Sequence, residues 1–292
     1  MTSLGKTVAS AIGASALGSL VFAAVHGSQQ ICRPCRTLPE STPGDLGFTW
    51  EPAAFKSFDG TPLSAWLIPN NSTSAAIIVL HGFGGNKGHA LNIMKMLAND
   101  YNVFAVDVRG HGESGGAWTS VGHFERYDAI AASEQLHQLG FGPIGTLGVS
   151  MGGAIAILAA AESPLIRAVV ADSAFATLRT AVLGGARLRG YPSGFAEIAA
   201  ITACRAAAAR LGHVPSASDP IGAIARISPR PILLVHCACD AMIPLSEAQA
   251  LYAASGDPCD LWVIPELAHA ESSGLADLYQ ERVVSFFRES LR

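Results

Sequence analysis

A strand, a serine between two glycines and an apolar helix follow one another near the middle of this chain. Residues 144–147 form a short and mostly apolar run, which is typical of a buried strand. Residues 153–161 are apolar and rich in good helix formers, and the sequence GVSMG lies between the two runs, at residues 148–152. This order predicts a turn so tight that side chains at the two glycine positions would collide with neighbouring backbone. It predicts that Ser150 is a nucleophile with an exposed hydroxyl.

A second serine fits the same five-residue pattern. Ser114 lies in GESGG at residues 112–116, within a glycine-rich loop, and no apolar helix follows it. The pattern indicates a nucleophile only where a strand precedes it and a helix follows. We therefore predict that Ser150 is the nucleophile and that Ser114 is a turn residue.

Composition and periodicity predict an α/β protein. Half of the 292 residues are hydrophobic and 14% are charged, enough apolar material for a sizeable core. The net charge of −4, without a basic cluster that interleaves with aromatic residues, argues against nucleic acid as a partner. Strand and helix signals alternate, which predicts a mostly parallel central sheet with helices on both faces. Strands are expected at residues 48–58, 61–68, 75–80, 101–108, 144–147, 166–170, 231–236 and 261–264.

Helices are expected between these strands, and one section lacks strand signals. Between residues 171 and 229 only helical patterns occur, at residues 177–186 and 195–211, which predicts a small helical lid over about residues 174–228. The alternative is that these helices simply cover the sheet. The other helices are expected at residues 89–99, 124–139, 153–161, 246–255 and 275–291.

The amino-terminal segment differs in composition from the rest of the chain. Residues 7–25 carry no charge, although their many Ala, Gly and Ser residues would make membrane insertion marginal. Residues 1–25 are interpreted as a membrane anchor or a signal peptide, and a helix packed on the domain or on a partner stays open. Residues 26–48 have the composition of a linker, and residues 49–292 form the predicted domain. We expect a membrane-associated or exported protein, with a cytoplasmic location as the alternative.

A serine hydroxyl needs a base to become a nucleophile, and the base needs an acid to orient it. Asp240 follows the predicted strand at residues 231–236, where an exposed turn is a good place for the acid. Asp257 and Asp260 precede the last strand and lie at the wrong end of the sheet. We therefore predict Asp240 as the acid.

The base is expected after the last strand. His269 follows the strand at residues 261–264 in a short loop, which gives the order serine, aspartate, histidine along the chain. His236 ends a strand near the acid, and His213 lies in the predicted lid. Loop position and order therefore favour His269 over these alternatives.

A glycine-rich turn follows the predicted strand at residues 75–80. It reads HGFGGN at residues 81–86, and its glycines allow the backbone to turn close to the nucleophile. The expected donors to a developing oxyanion are the backbone N–H groups of Phe83 and Met151. His81 is expected to order this loop.

The cysteines do not predict a metal site. Cys32 and Cys35 have the spacing of metal-binding or redox pairs, but no second pair with histidines completes a zinc site. We expect neither a metal nor an organic cofactor.

Five segments together resemble the α/β-hydrolase superfamily over about residues 50–290. They are HGFGGN at 81–86, DVRGHGESGG at 107–116, GVSMGG at 148–153, CDAMIP at 239–244 and LAH at 267–269. The set is similar to small, often membrane-associated serine hydrolases related to the serine aminopeptidase and dienelactone hydrolase-like groups. One departure lies before Asp240: the family often has His-Gly there, and this chain has His236-Cys237, which adds bulk at the turn.

The resemblance implies an α/β-hydrolase fold and esterase, lipase, thioesterase or peptidase chemistry. We expect a Ser-His-Asp hydrolase, carboxylesterase-like or lipase-like, that cleaves an ester, thioester or amide through an acyl-enzyme on Ser150. The alternatives are an acyltransferase or a peptidase with the same three residues, and a non-catalytic binding protein on this scaffold. Leu, Ala and Ile are common in the predicted lid, which favours an apolar acyl or alcohol group and thus a small-molecule or lipid-like ester as partner.

Overall fold

An eight-stranded sheet forms the centre of the protein. The computed structural model describes residue 18 and residues 21–292 of the chain. The strands lie in the order β1-β2-β4-β3-β5-β6-β7-β8, and only β2 runs antiparallel to its neighbours. They are β1 (Glu51–Lys56), β2 (Pro62–Ile68), β3 (Ala76–Leu80), β4 (Asn102–Asp107), β5 (Ile144–Val149), β6 (Ile166–Asp172), β7 (Ile232–Cys237) and β8 (Cys259–Ile264).

Helices cover both faces of this sheet. The apolar cluster on one face includes side chains of α3, α4 and α7, and the cluster on the other face includes side chains of α2 and α8. The helices are α1 (described over residues 21–32), α2 (Leu91–Leu97), α3 (Glu125–Gln138), α4 (Met151–Ala160), α5 (Leu178–Leu188), α6 (Ser193–Leu211), α7 (Leu245–Ala254) and α8 (Ala276–Ser290).

The central strand β3 shows why both faces need cover. Its five residues are all buried. Ile78 and Leu80 belong to the cluster with α4, while Ile77 and Val79 belong to the cluster with α8. Successive side chains of a strand point to opposite faces, so a strand that is apolar at every position is stable only between two helical layers.

The predicted fold class is confirmed, with a mostly parallel sheet, helices on both faces and helices inserted between β6 and β7. Each predicted strand and helix is present, with ends that differ by a few residues. The inserted helices are α5 and α6. The alanines of α6 that face the protein are buried, which accounts for its low charge.

The structure differs from the sequence interpretation just after residue 25. The predicted linker begins at residue 26, but α1 continues to residue 32. Tertiary packing accounts for the longer helix. Ile31 and Cys32 are buried in the same apolar cluster as Ala203 and Cys204 of α6. Local composition does not carry this information.

No helix within the described part of the chain is both long and apolar enough to span a membrane. Of the uncharged segment at residues 7–25, only residue 18 and residues 21–25 are described, and the rest lies outside the described residues. Membrane association through this segment stays a prediction. The six cysteines are free thiols, and residues 21–292 contain no cluster of three or more metal-binding side chains.

Candidate active site

Ser150 lies on a sharp turn between β5 and α4. Its φ of +56° and ψ of −115° are unusual for a residue with a side chain. A Cβ on Gly148 would lie 2.0 Å from the carbonyl oxygen of Gly152, and one on Gly152 would lie 2.1 Å from that of Leu80. The two glycines therefore let β5, the turn and α4 approach closely enough to hold the serine in this conformation.

Ser150, His269 and Asp240 form one hydrogen-bonded chain. The distance from His269 Nε2 to Ser150 Oγ is 2.9 Å, and the distance from His269 Nδ1 to Asp240 Oδ2 is 2.5 Å. A carboxylate only accepts hydrogen bonds, so Nδ1 carries the imidazole proton and Nε2 is free to accept the serine proton. The other oxygen of Asp240 accepts from the backbone N–H groups of Met242 and Ile243, at 2.9 and 2.8 Å.

The environment of Asp240 favours its charged form. Burial acts to raise the pKa of its carboxyl, but the hydrogen bond from His269 and those from two backbone N–H groups outweigh burial. The net result is a pKa below the ordinary value for an aspartate. A charged Asp240 holds the His269 ring in the orientation that points Nε2 at Ser150.

Three of the competing residues contact other groups. Asp260 forms an exposed ion pair with Arg282. His213 stacks on His123, with ring centroids 4.5 Å apart. His236 is buried beside the acid, 3.9 Å from Asp240 Oδ2, and its Nε2–H donates to the carbonyl of Ile243.

The loop after β3 lies beside the serine. A Cβ on Gly82 would lie 3.6 Å from the Cβ of Ser150. Within the described residues, the backbone N–H groups of Phe83 and Met151 donate no hydrogen bond to another protein group. Both groups are therefore available to a substrate oxygen at the turn.

His81 orders this loop from a buried position. The backbone N–H of Val108 donates to His81 Nε2 at 3.3 Å, so the ring proton is on Nδ1, which donates to the carbonyl of Gly82 at 2.8 Å. Burial and the neighbouring His111 lower the pKa of His81 to about 4. A neutral imidazole with both nitrogens engaged fits the ordering role expected from the sequence.

A buried lysine fixes the far end of the same loop. Lys87 Nζ lies 2.7 Å from Asp107 Oδ2 and 2.5 Å from Glu113 Oε2, and it donates to Ser64 Oγ at 2.9 Å. The side chains of Lys87 and Asp107 are both fully buried. Sequence reasoning missed this network because a single lysine in a loop carries no signal of burial.

A second buried network supports the base. The carboxylate of Asp172, at the end of β6, accepts hydrogen bonds from the hydroxyls of Ser272, Tyr279 and Ser173. Ser173 Oγ in turn accepts from the backbone N–H of Ala270, next to the base, at 3.3 Å. Burial raises the pKa of the Asp172 carboxyl, and the three hydroxyls oppose that shift. This network leaves no local pattern in the sequence, because Asp172 and Tyr279 are 107 residues apart.

Ser114 is buried and hydrogen-bonded within the protein. Its Oγ donates to the carbonyl of Asp107 at 2.5 Å, and it accepts from the backbone N–H of Ser64 at 2.8 Å. These contacts tie a turn to the sheet, in agreement with the sequence prediction for this serine.

The cysteines before the acid do not displace it. Cys237 is buried at the end of β7, and Cys239 is exposed. The backbone N–H of Cys239 donates to the carbonyl of Leu267 at 3.1 Å, so the acid loop is joined to the loop of the base. The departure from His-Gly therefore leaves the carboxylate beside His269.

A mostly apolar cavity of about 250 Å³ reaches Ser150. Its walls come from α1, from the lid helices α5 and α6, and from the loops that carry the serine and the acid. Among the described residues of the wall, the polar side chains other than Ser150 are those of His26, Gln30, Arg189 and Tyr191. Such a cavity suits an apolar group attached to a reactive carbonyl.

Comparison with known proteins agrees with the fold. The sequence model of a family described as alpha/beta hydrolase fold matches residues 75–224. The structure is similar to that of an esterase from Pyrococcus furiosus, with a TM-score of 0.76 and 25% sequence identity, over 90% of this chain and 99% of that one.

Two relatives among curated proteins differ in how much of the chain they match. The uncharacterized protein YfhR of Escherichia coli O157:H7 is 29% identical over 253 residues, which cover 82% of this chain and 81% of YfhR. Human monoglyceride lipase is 40% identical over 100 residues, which cover 33% of each chain.

Proposed function

The chain belongs to the α/β-hydrolase family, and from that premise we propose that it is a serine hydrolase that cleaves carboxylic esters through an acyl-enzyme on Ser150. The observation that carries the proposal is the continuous hydrogen-bonded chain from Ser150 through His269 to Asp240. Each member has the state that the chemistry requires: a hydroxyl donor, an imidazole that accepts at Nε2, and a charged carboxylate.

Acylation begins with the attack of Ser150 Oγ on the ester carbonyl carbon. His269 Nε2 takes the hydroxyl proton, and Asp240 stabilises the imidazolium that results. The backbone N–H groups of Phe83 and Met151 donate to the oxyanion of the tetrahedral intermediate. His269 then gives its proton to the alcohol oxygen as the carbon–oxygen bond breaks, and the acyl group stays on Ser150.

Deacylation repeats these steps with water. His269 Nε2 takes a proton from water as its oxygen attacks the acyl carbon, and the same backbone N–H groups hold the second oxyanion. The intermediate collapses, Ser150 Oγ recovers a proton from His269, and the carboxylic acid leaves. Both half-reactions balance without a metal or an organic cofactor.

Two features favour an apolar ester over a peptide. The cavity beside Ser150 is largely apolar, and none of the described residues that line it has an acidic side chain to bind an amino terminus. The relatives with a named activity include an esterase and a lipase. We therefore propose a small-molecule or lipid-like ester as the substrate class.

Active-site labelling tests the proposal with a control from the same chain. A fluorophosphonate probe should label the wild type and the Ser114→Ala variant equally, and should not label Ser150→Ala. Hydrolysis of p-nitrophenyl butanoate should follow the same pattern. Persistent labelling of Ser150→Ala would exclude Ser150 as the nucleophile. Product analysis with and without an added alcohol separates a hydrolase from an acyltransferase.

A further inference from the structure

The amino-terminal helix α1 lies against the lid rather than apart from the domain. Helix α1 lies outside residues 75–224, the part of the chain that matches the family model. Six residues of α1 line the cavity that reaches Ser150, and their spacing is that of one face of a helix. They are Phe22, Ala23, His26, Gly27, Gln30 and Ile31.

Small residues bring α1 and α6 unusually close. A Cβ on Gly27 would lie 2.8 Å from the Cβ of Ala203, a separation that real Cβ atoms do not show. Ala203 belongs to a buried strip of alanines on α6. Successive members of the strip are three or four residues apart, which is the spacing of one helix face packed on a neighbour. The other members of this strip are Ala196, Ala200 and Ala207.

The end of α1 is tied to the body of the domain. The carbonyl of Cys32 accepts a hydrogen bond from the backbone N–H of Thr119 at 2.9 Å. The guanidinium of Arg33 lies over the ring of Trp118, 3.8 Å from its centroid. These contacts fix the position of α1 relative to the site, so its inner face is a fixed wall of the cavity.

We infer that α1 forms part of the acyl-binding site and that the cavity between α1, α5 and α6 holds a single medium-length acyl chain. This inference rests on the proposed esterase function for the identity of the ligand. The acyl carbonyl lies at Ser150, and the chain extends along the inner face of α1 toward Phe22, Tyr191 and Phe195, which are exposed where the cavity opens.

The size of the cavity supports a chain of limited length. An apolar cavity of roughly 150 Å³ accommodates a benzene ring. In proportion, the cavity of about 250 Å³ has room for roughly ten carbon atoms. The mostly apolar wall favours an apolar acyl chain, because polar atoms placed against apolar side chains lose water without gaining partners.

Two adjacent alanines of α1 provide a matched pair of variants. Ala23 lines the cavity, whereas Ala24 does not, and both side chains are half-buried. In Ala23→Phe the ring fills part of the cavity. The ratio of kcat/KM for p-nitrophenyl dodecanoate to that for the butanoate should then fall by about tenfold or more, since each methylene denied burial costs roughly fourfold. Ala24→Phe should leave this ratio unchanged.

The outcomes separate this inference from the proposed function. Equal effects of the two variants, or no effect of Ala23→Phe, would overturn the role of α1. A selective loss on dodecyl butanoate relative to methyl butanoate would overturn the assignment of the cavity to the acyl chain, because it would place the alcohol there.

A binding measurement does not depend on hydrolysis. In a Ser150→Ala background, calorimetry should show that Ala23→Phe weakens the binding of dodecanoate about tenfold and that Ala24→Phe does not. If the wild type neither hydrolyses esters nor reacts with a fluorophosphonate but dodecanoate binding follows this pattern, the proposed function fails and the acyl site stands. If dodecanoate binds equally well to both variants, the acyl site is wrong.

Discussion

Gly184 of the lid helix α5 lies directly against the backbone carbonyl of Met242 in the loop of the acid. A Cβ on Gly184 would lie 1.8 Å from that oxygen, so α5 and the loop must move apart if the glycine is replaced. The N–H of the same residue, Met242, donates to Asp240. The packing of the lid and the orientation of the acid are therefore coupled at this contact.

We predict that Gly184→Ala lowers both stability and activity, while Gly185→Ala does not lower stability. Overpacking at Gly184 should cost about 1–3 kcal/mol of unfolding free energy and reduce kcat by disturbing Asp240. A Cβ on Gly185 would meet only the movable guanidinium of Arg189, at 3.1 Å, and alanine favours the helix by about 1 kcal/mol. Urea unfolding and ester hydrolysis of both variants check this, and equal losses in the two would contradict it.

The same glycine shows what the sequence could and could not predict. The helix that contains Gly184 was predicted, because its apolar spacing is a local pattern, and so were all eight strands. The order of Ser150, Asp240 and His269 also followed from local context, since each comes just after a strand. What Gly184 packs against was not predictable, because the contact joins residues 58 positions apart and leaves no periodicity.

Other unpredicted features have the same origin. The contact of Lys87 with Asp107 spans 20 residues, and that of Asp172 with Tyr279 spans 107. The sequence favours an export signal or a membrane anchor for the amino-terminal segment and leaves open a helix packed on the domain or on a partner, because small apolar residues are compatible with all three. The packing of residues 21–32 on α6 depends on contacts between distant parts of the chain, and a single sequence records only the residues that permit such contacts.

Replacement of Asp240 by asparagine should nearly abolish catalysis without loss of the fold. An asparagine NH₂ group toward His269 Nδ1 would favour the imidazole tautomer that carries its proton on Nε2, which then cannot accept the proton of Ser150. We expect kcat for p-nitrophenyl butanoate to fall by roughly 10⁴-fold. Asp260→Asn, in an exposed ion pair, is the control and should keep wild-type kcat. A fall of less than about tenfold in Asp240→Asn would contradict the role of Asp240 as the acid.

His81 should make the protein less stable in acid. Burial and the neighbouring His111 hold its pKa at about 4 in the folded protein, whereas an unfolded histidine has a pKa of about 6.5. The unfolded chain therefore binds the proton first as the pH falls. The stability that depends on neutral His81 is fully present above about pH 6.5 and is lost as the pH falls to about 4.

His81→Gln tests this dependence, because glutamine gains no proton in this range. Urea unfolding at about pH 7 and about pH 4.5 should show a smaller loss of unfolding free energy in the variant than in the wild type. Between about pH 6.5 and about pH 4, the wild type should lose on the order of 3 kcal/mol more unfolding free energy than the variant. Equal losses in both proteins would show that His81 does not titrate with folding.

Lys87 should be far more sensitive to substitution than an exposed lysine nearby. Lys87→Met removes the cation that neutralises the fully buried carboxylate of Asp107. Breaking a buried ion pair on one side costs about 3–5 kcal/mol. Lys95→Met, at an exposed position of α2, should change the unfolding free energy by no more than about 0.5 kcal/mol. Chemical unfolding of both variants measures the difference, and similar values would mean that Asp107 finds another partner.

The thiol of Cys32 reports whether α1 stays docked. Burial raises the pKa of Cys32 to about 11, from 9.0, which lowers its thiolate fraction by about a hundredfold. Cys35, three residues further on, is exposed. Iodoacetamide should therefore modify Cys35 long before Cys32, as read by mass spectrometry of the peptides.

Gly27→Leu should abolish this protection, because a side chain at Gly27 cannot fit against Ala203 and must push α1 away from α6. The rate of Cys32 alkylation should then rise toward that of Cys35 at the same pH. Ala24→Leu adds a comparable side chain at a position of α1 that does not line the cavity, and it should leave Cys32 protected. Fast alkylation of Cys32 in the wild type, or full protection in Gly27→Leu, would contradict the docking of α1 through Gly27. A displaced α1 also opens one wall of the cavity, so Gly27→Leu should lose its preference for longer acyl chains along with the protection of Cys32.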